Sequence, residues 1–297
     1  VKFWTLRFDG VPLERGGWTF FLPDYDARFT EELRETLLDS AFSAIDGTLA
    51  RRIHRSRHAE TWASHLGGAD GPLLYFKVLD APRGRLAFKR IFRGARAAHV
   101  ASISEHLRAD GLGVPEILLL GAERRGGREL VVTSRVEGAM VPRHLRSPHE
   151  TLAAKRKVLR ALGAEVARLH RSGYIHGDLT PYNVFVTGVE PPQFVFVDHE
   201  RTRRTPLSRL ARPRLRNLVQ LGHLDFAYIS NTDRMRVWTG YAASLPRRRS
   251  RAALRRLAAM LKSRVARDRT LAGGARVPSR DSGSGARIVQ RPEAKES

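Results

Sequence analysis

The chain has 297 residues, 42% of them hydrophobic and 28% charged, enough for one large domain or two lobes around a sizeable core. It contains no cysteine, which excludes a disulfide framework, a Cys-based zinc site, an iron–sulfur cluster and a thiol nucleophile. The 53 Lys and Arg against 30 Asp and Glu leave a formal charge of +23, so polyanions are the expected partners: nucleic acid, an anionic membrane or a phosphorylated substrate, with a merely solvated Arg-rich surface as the plain alternative.

In chain order, residues 1–45 read as a mixed opening segment. Trp18-Thr19-Phe20-Phe21-Leu22 is a strand stopped by Pro23, and 31–42 has helical spacing with Leu33, Leu37, Leu38 and Phe42 on one side. Residues 51–64 alternate loosely. Leu73-Leu74-Tyr75-Phe76-Lys77-Val78-Leu79 is a strong strand, reached through a Gly-rich turn at 67–71. Residues 95–109 form a helix with Val100, Ile103 and Leu107 on one face, ended by Gly111, and 117–120 and 130–133 are two further strands. Ser147-Pro148-His149-Glu150 has the form of a capping box opening a helix that carries Leu159, Leu162, Val166 and Leu169 on one face and closes at Gly173. Phe194-Val195-Phe196-Val197 is a short buried strand. The chain then reads as helical to about 260–266, and 272–297, rich in Gly, Ser and charge, reads as disordered. Strands with one helix, then mostly helices, is an α+β pattern. No apolar run approaches the roughly 18 residues of a bilayer span, and residues 1–7 lack the continuous apolar segment of a secretory signal.

The chemistry concentrates in Tyr174-Ile175-His176-Gly177-Asp178-Leu179-Thr180-Pro181-Tyr182-Asn183-Val184, followed by Asp198 in Val197-Asp198-His199-Glu200. His-x-Asp, four residues, Asn, and an acid fifteen residues beyond the Asn, with strand texture between, resembles the catalytic and metal-binding segments of the protein-kinase-like superfamily. The resemblance implies a two-lobed fold: an extension over 1–45, a small β-rich nucleotide-binding N-lobe over 46–138, a mainly helical catalytic and acceptor-binding C-lobe over 139–271, and the basic tail 272–297. Asp178 would accept or orient the acceptor hydroxyl proton, and His176 would brace the loop from a buried position. Asn183 and Asp198 would supply hard oxygens to Mg2+ bridging the phosphates of ATP. Lys77, in mid-strand, would meet the α- and β-phosphates, the alternative being an edge-strand Lys facing solvent with Lys89 as rival. Glu105, the only acid between Asp80 and Asp110, would be its partner. No G-x-G-x-x-G is present. In its place stands Ile53-His54-Arg55-Ser56-Arg57-His58-Ala59-Glu60-Thr61-Trp62, where Ser56 and backbone N–H groups could contact phosphate, a solvated hairpin being the alternative.

Three departures narrow the acceptor. Gly177 stands where many protein kinases have Arg, His199-Glu200 follows Asp198 instead of Phe-Gly, and no Ala-Pro-Glu closes a peptide platform. With Arg216-Asn217-Leu218-Val219-Gln220-Leu221, then Asp233-Arg234-Met235-Arg236 and Tyr241, the sequence resembles the lipopolysaccharide core kinases of Gram-negative bacteria, which phosphorylate Kdo or heptose. Phe92-Arg93-Gly94-Ala95-Arg96-Ala97 and Gly113-Val114-Pro115 add to the likeness, which covers roughly 45–245. It implies an anionic glycolipid acceptor and a cytoplasmic location, peripheral on the inner face of the inner membrane. The run Arg201, Arg203, Arg204, Arg209, Arg212, Arg214 and Arg216, and a second from Arg247 to Arg256, would supply the attraction. An atypical protein or small-molecule kinase of the same fold is the alternative. No nucleic-acid-binding signature is visible, so no specific nucleic acid is expected.

Overall fold

A computed structural model describes residues 12–22, 30–56, 58–81, 95–148, 151–209, 211–222 and 229–274. Arg57, Lys89, residues 92–94, His149, Glu150 and residues 275–297 lie outside the described residues. The described residues divide into two compact units, one within 12–102 and 116–135, the other within 103–115 and 136–274.

The first unit is a seven-stranded antiparallel sheet. Its strands are β1 (Leu13–Arg15), β2 (Trp18–Phe21), β3 (Arg51–Arg55), β4 (Ala59–His65), β5 (Leu73–Leu79), β6 (Ile117–Glu123) and β7 (Glu129–Ser134), in the order β1-β2-β6-β7-β5-β4-β3. Strand side chains alternate between faces, and each face has its own helix. Helix α1 (Glu31–Ile45) starts at Thr30, whose hydroxyl accepts the Leu33 N–H, and lays Leu37, Leu38, Ala41 and Ala44 on Phe20, Leu74, Phe76 and Leu130. On the other face, Leu79, Leu120 and Val131 meet Ala97, Val100 and Ala101 of α2 (Arg96–Ala109). The loose alternation over 51–64 resolves into two strands, because Ser56 closes a tight turn between β3 and β4.

The second unit is mainly helical, with α3 (Val141–Leu145), α4 (Leu152–Arg171), α5 (Ala211–Gly222), α6 (Asn231–Ala242) and α7 (Arg247–Gly274). Its strands are short: β8 (Ala139–Met140), β9 (Tyr174–Ile175), β10 (Val184–Val189), β11 (Pro192–Phe196) and β12 (Arg203–Arg204), forming a β11-β10-β8 sheet and a β12-β9 ribbon. Leu159, Leu162, Val166 and Leu169 of α4 are all buried in one core with Phe194, Phe196, Leu218 and Trp238. Helices α4 and α6 cross at Gly163 and Gly240. A Cβ on Gly163 would lie 1.9 Å from the Val237 carbonyl oxygen, and one on Gly240 1.9 Å from that of Arg160, so the two backbones touch where no side chain intervenes. Lys155 of α4 bridges to buried Asp233 of α6 at 3.2 Å.

Three sequence readings are corrected. Helix α4 is capped by Thr151, whose hydroxyl accepts the Ala154 N–H at 3.1 Å, and not by Ser147. The Ser147 N–H is engaged with the His144 carbonyl in the turn that ends α3. The stretch after Val197 is not a continuous helix: a 3-10 turn at His199–Arg201 is followed by β12, which pairs back onto β9. Helix α7 runs to Gly274, past the boundary expected at 271.

Candidate active site

Strand β9 delivers the chain into His176, Gly177 and Asp178, and a 3-10 turn at Pro181–Asn183 carries it on into β10. Gly177 has φ +80°, and a Cβ there would lie 2.4 Å from the Arg201 carbonyl oxygen. The backbone passes so close to the segment after Asp198 that only glycine fits. This is the physical reason no Arg can precede Asp178.

Both ends of the Asp178 loop are held by side chains of α5. The Asn217 Oδ1 accepts the His176 N–H at 3.1 Å. The Gln220 Oε1 accepts the Leu179 N–H at 3.3 Å, and its Nε2 donates to the Gly177 carbonyl at 3.1 Å. Asn217 and Gln220 are tied to each other at 3.0 Å. Behind them, His170 Nε2 donates to Asn217 Oδ1 at 3.2 Å, and its Nδ1 accepts from the Tyr241 hydroxyl at 3.0 Å. An amide oxygen can only accept, so Nε2 carries a proton, and with Nδ1 accepting from the Tyr241 hydroxyl the ring is neutral. Burial agrees: it pushes His170 down to about 4, the Asn217 bond partly opposing, and pushes Tyr241 up to about 12. Arg214 donates to the His170 carbonyl at 2.7 Å.

The hairpin of β10 and β11 returns the chain beside the loop. The Val197 N–H donates to the Asn183 carbonyl at 3.0 Å, and the Asn183 Nδ2 donates to the Asp178 carbonyl at 2.9 Å. Fully buried His176 donates from Nε2 to the Val197 carbonyl at 2.9 Å. Burial holds its imidazole below the usual range, against the opposing pull of Asp198. Asp198 itself is in the left-handed region, φ 65° and ψ 63°, and is the one non-glycine residue there among the described residues. Such a backbone costs about 1–3 kcal/mol and is kept where the surroundings enforce it. Here His199 Nε2 donates to the Phe196 carbonyl, and Thr202 donates to the His176 carbonyl, clamping the residues on both sides.

Residues 83–241, more than half of the chain, match the family model "Lipopolysaccharide kinase (Kdo/WaaP) family". The chain belongs to this family of kinases. Among solved structures it is similar to the "Structure of vaccinia related kinase 3", at 17% identity and a TM-score of 0.34, over 66% of this chain. It spans about half, 52%, of that kinase. No curated protein matches the sequence.

Within this lipopolysaccharide kinase family member, the remaining sequence-derived residues fall in different places. Lys77 is half-buried at the centre of β5, opposite Val131 on β7 and Thr61 on β4, so it is not on an edge strand. Ser56 is engaged in its own turn: its hydroxyl donates to the Ala59 carbonyl at 3.1 Å and accepts the N–H groups of His58 and Ala59. Glu105 is exposed on α2 and belongs to the second unit, whereas Lys77 belongs to the first. The sequence reading gave no role to Asn217, Gln220 or His170, though two of them stand in the Asn-Leu-x-Gln-Leu run. Their spacing on one helical turn was the available signal.

The basic residues also sort themselves. Arg214 is bound inside the unit, and Arg204 lies over the Tyr174 ring at 6.0 Å. Arg203, Arg209, Arg212 and Arg216 are exposed. An open groove of about 530 Å³ runs between α5 and α7, lined by Arg216, Gln220, Met260, Ser263 and Arg264 among others.

Proposed function

We propose that this kinase transfers the γ-phosphoryl group of ATP to a sugar hydroxyl, Kdo or heptose, of the lipopolysaccharide inner core. The observation that carries the reading is the joining of His176, Asp178, Asn183 and Val197, the residue before Asp198, through three hydrogen bonds on a loop anchored at both ends. Phosphoryl transfer needs an aligned acceptor and neutralised charge more than covalent help. Asp178 orients the acceptor hydroxyl and takes its proton. The donor set suits Mg2+: the Asn183 amide nitrogen is committed to Asp178, which leaves the amide oxygen as ligand, and Asp198 adds a carboxylate. The ion would neutralise charge developing on the phosphates. Lys77, in the first unit, is in this reading the lysine that binds the α- and β-phosphates of ATP.

The acceptor reading rests on the family and on charge. Exposed Arg203, Arg209, Arg212 and Arg216, and the groove lined by Arg216 and Arg264 together with Val219 and Met260, suit an anionic, part-apolar glycolipid. None of the described helices is long and apolar enough to cross a membrane, and the protein would bind the inner face of the inner membrane through these arginines, each contributing about 1 kcal/mol.

Transfer from labelled ATP to lipid A–Kdo, to heptosylated core and to a generic protein tests the reading. Labelling of a core acceptor is expected, and labelling of the protein alone would overturn it. Asp178→Asn is expected to lower turnover at least ~10²-fold with Mg-ATP binding kept, while Asp198→Ala loses both. Unchanged metal dependence in the Asp198 variant would place the metal elsewhere.

A further inference from the structure

We propose that Glu129, on strand β7, is the carboxylate that positions Lys77 for the nucleotide, in the role expected of an acid on helix α2. The proposal rests on the reading of Lys77 as the phosphate-binding lysine. The β5–β7 register pairs Leu79 with Glu129 and Lys77 with Val131. Residues opposite each other in an antiparallel pair share a face, and so do residues two apart on one strand. Lys77, Leu79, Glu129 and Val131 therefore line one face. Leu79 and Val131 pack with Ala97, Val100 and Ala101, so it is the face that carries α2. Lys77 and Glu129 are diagonal neighbours, about 7–8 Å apart at the backbone and within reach of two long side chains.

Burial gives the second argument. Glu129 has no solvent exposure at all. Burying a carboxylate is costly unless donors and cations surround it. Its Oε2 accepts the Ala97 N–H at 2.7 Å, at the positive end of α2. The neighbouring Arg96 turns its guanidinium to the Asp80 carbonyl. Lys77 is the lysine of the same face. Glu105, by contrast, lies eight residues past Ala97, about 12 Å along the helix axis, and is exposed. One buried carboxylate thus ties the start of α2 to the sheet and faces the lysine. Because Glu129 sits on a central strand, rotation of α2 cannot withdraw it. The lysine–carboxylate pair is then permanently assembled, and the kinase needs no helix movement to become active.

Glu129→Gln keeps an oxygen for the Ala97 N–H and removes the charge. It is expected to raise the KM for ATP about tenfold or more with a smaller effect on the acceptor KM and an unchanged melting profile. Lys77→Met should do the same, and the double variant should be no worse than the worse single one. If Lys77→Met leaves ATP binding intact, the lysine reading itself fails. If Lys77→Met weakens it and Glu129→Gln binds ATP as the parent does, Glu129 is only a helix cap and this inference is overturned. Should the Gln variant not fold, Glu129→Asp is compared in the parent and in Lys77→Met: a raised ATP KM in the parent background alone supports the pairing, and an equal rise in both overturns it.

Discussion

The loop around Asp178 and the turn around Ser56 are both short polar segments that the sequence offers for phosphate chemistry, and they are held in opposite ways. The Ser56 turn is closed from within, by a hydroxyl bonded to residues two and three positions away. The Asp178 loop is held from outside, by Asn217 and Gln220 some forty positions later and by the carbonyl of Val197. A self-closed turn forms wherever its few residues occur, so it says little about function. A loop whose donors and acceptors are met by a distant helix is preorganised, which is the property that catalysis by positioning and electrostatics requires.

Four measurements break or sharpen that contrast. Gly177→Ala should do most damage, since it forces an L-residue to φ +80° and sets a methyl against the Arg201 carbonyl. A loss of about 1–3 kcal/mol in stability together with at least ~10²-fold in turnover is expected, and parent-like kinetics would show that the loop is not confined as described. Acid comes next. Neutral, buried His170 has its folded value lowered to about 4 from 6.5, so its contribution is complete above pH 6.5. It is lost as pH falls towards 4, while the unfolded chain takes up the proton that the native state refuses. The lowered His176 acts in the same direction. Denaturant unfolding should lose up to about 3 kcal/mol across that window, and His170→Gln should flatten the profile. Gln220→Ala removes both anchors next to Asp178 and should lower kcat ~10-fold with little change in ATP KM, at about 1–3 kcal/mol in stability. An equal fall in ATP affinity would mean that it acts on the nucleotide instead. Ser56→Ala should be nearly silent, with less than about a threefold change in ATP KM. A larger change would restore that turn to the phosphate site.

How much could be read from the sequence follows the same division. Strand 73–79 has the ends its alternation indicates, and the buried stripe of α4 follows its helical period. The His176–Asp198 segment folds as one hydrogen-bonded unit, in which Val197 is joined to His176 and Asn183, and Asn183 to Asp178. What was not legible depends on partners far away. Ser147 has the sequence of a cap, but α3, five residues long, already engages its N–H. Arg203 and Arg204 look like surface charge, yet they form a strand because Tyr174 and Ile175 lie beside them. Glu129 reads as one acid near a turn, and only the β5–β7 register brings it to the lysine face. Asn217 and Gln220 read as polar positions of a helix until the loop they hold is folded against them.

The two ends of the seven-stranded sheet have a consequence for how the molecule behaves in company. An unpaired edge strand is a template on which another chain can add itself. At one end β1 is three residues long, all exposed, and its Arg15 is drawn to Glu35 and Asp39 at 2.9 and 3.0 Å. At the other end β3 carries Arg51, Arg52 and Arg55, and its register slips between Arg52 and His54. Shortness, charge and a slipped register each discourage strand addition. A chain of this design can be concentrated without its sheets zipping together into aggregates.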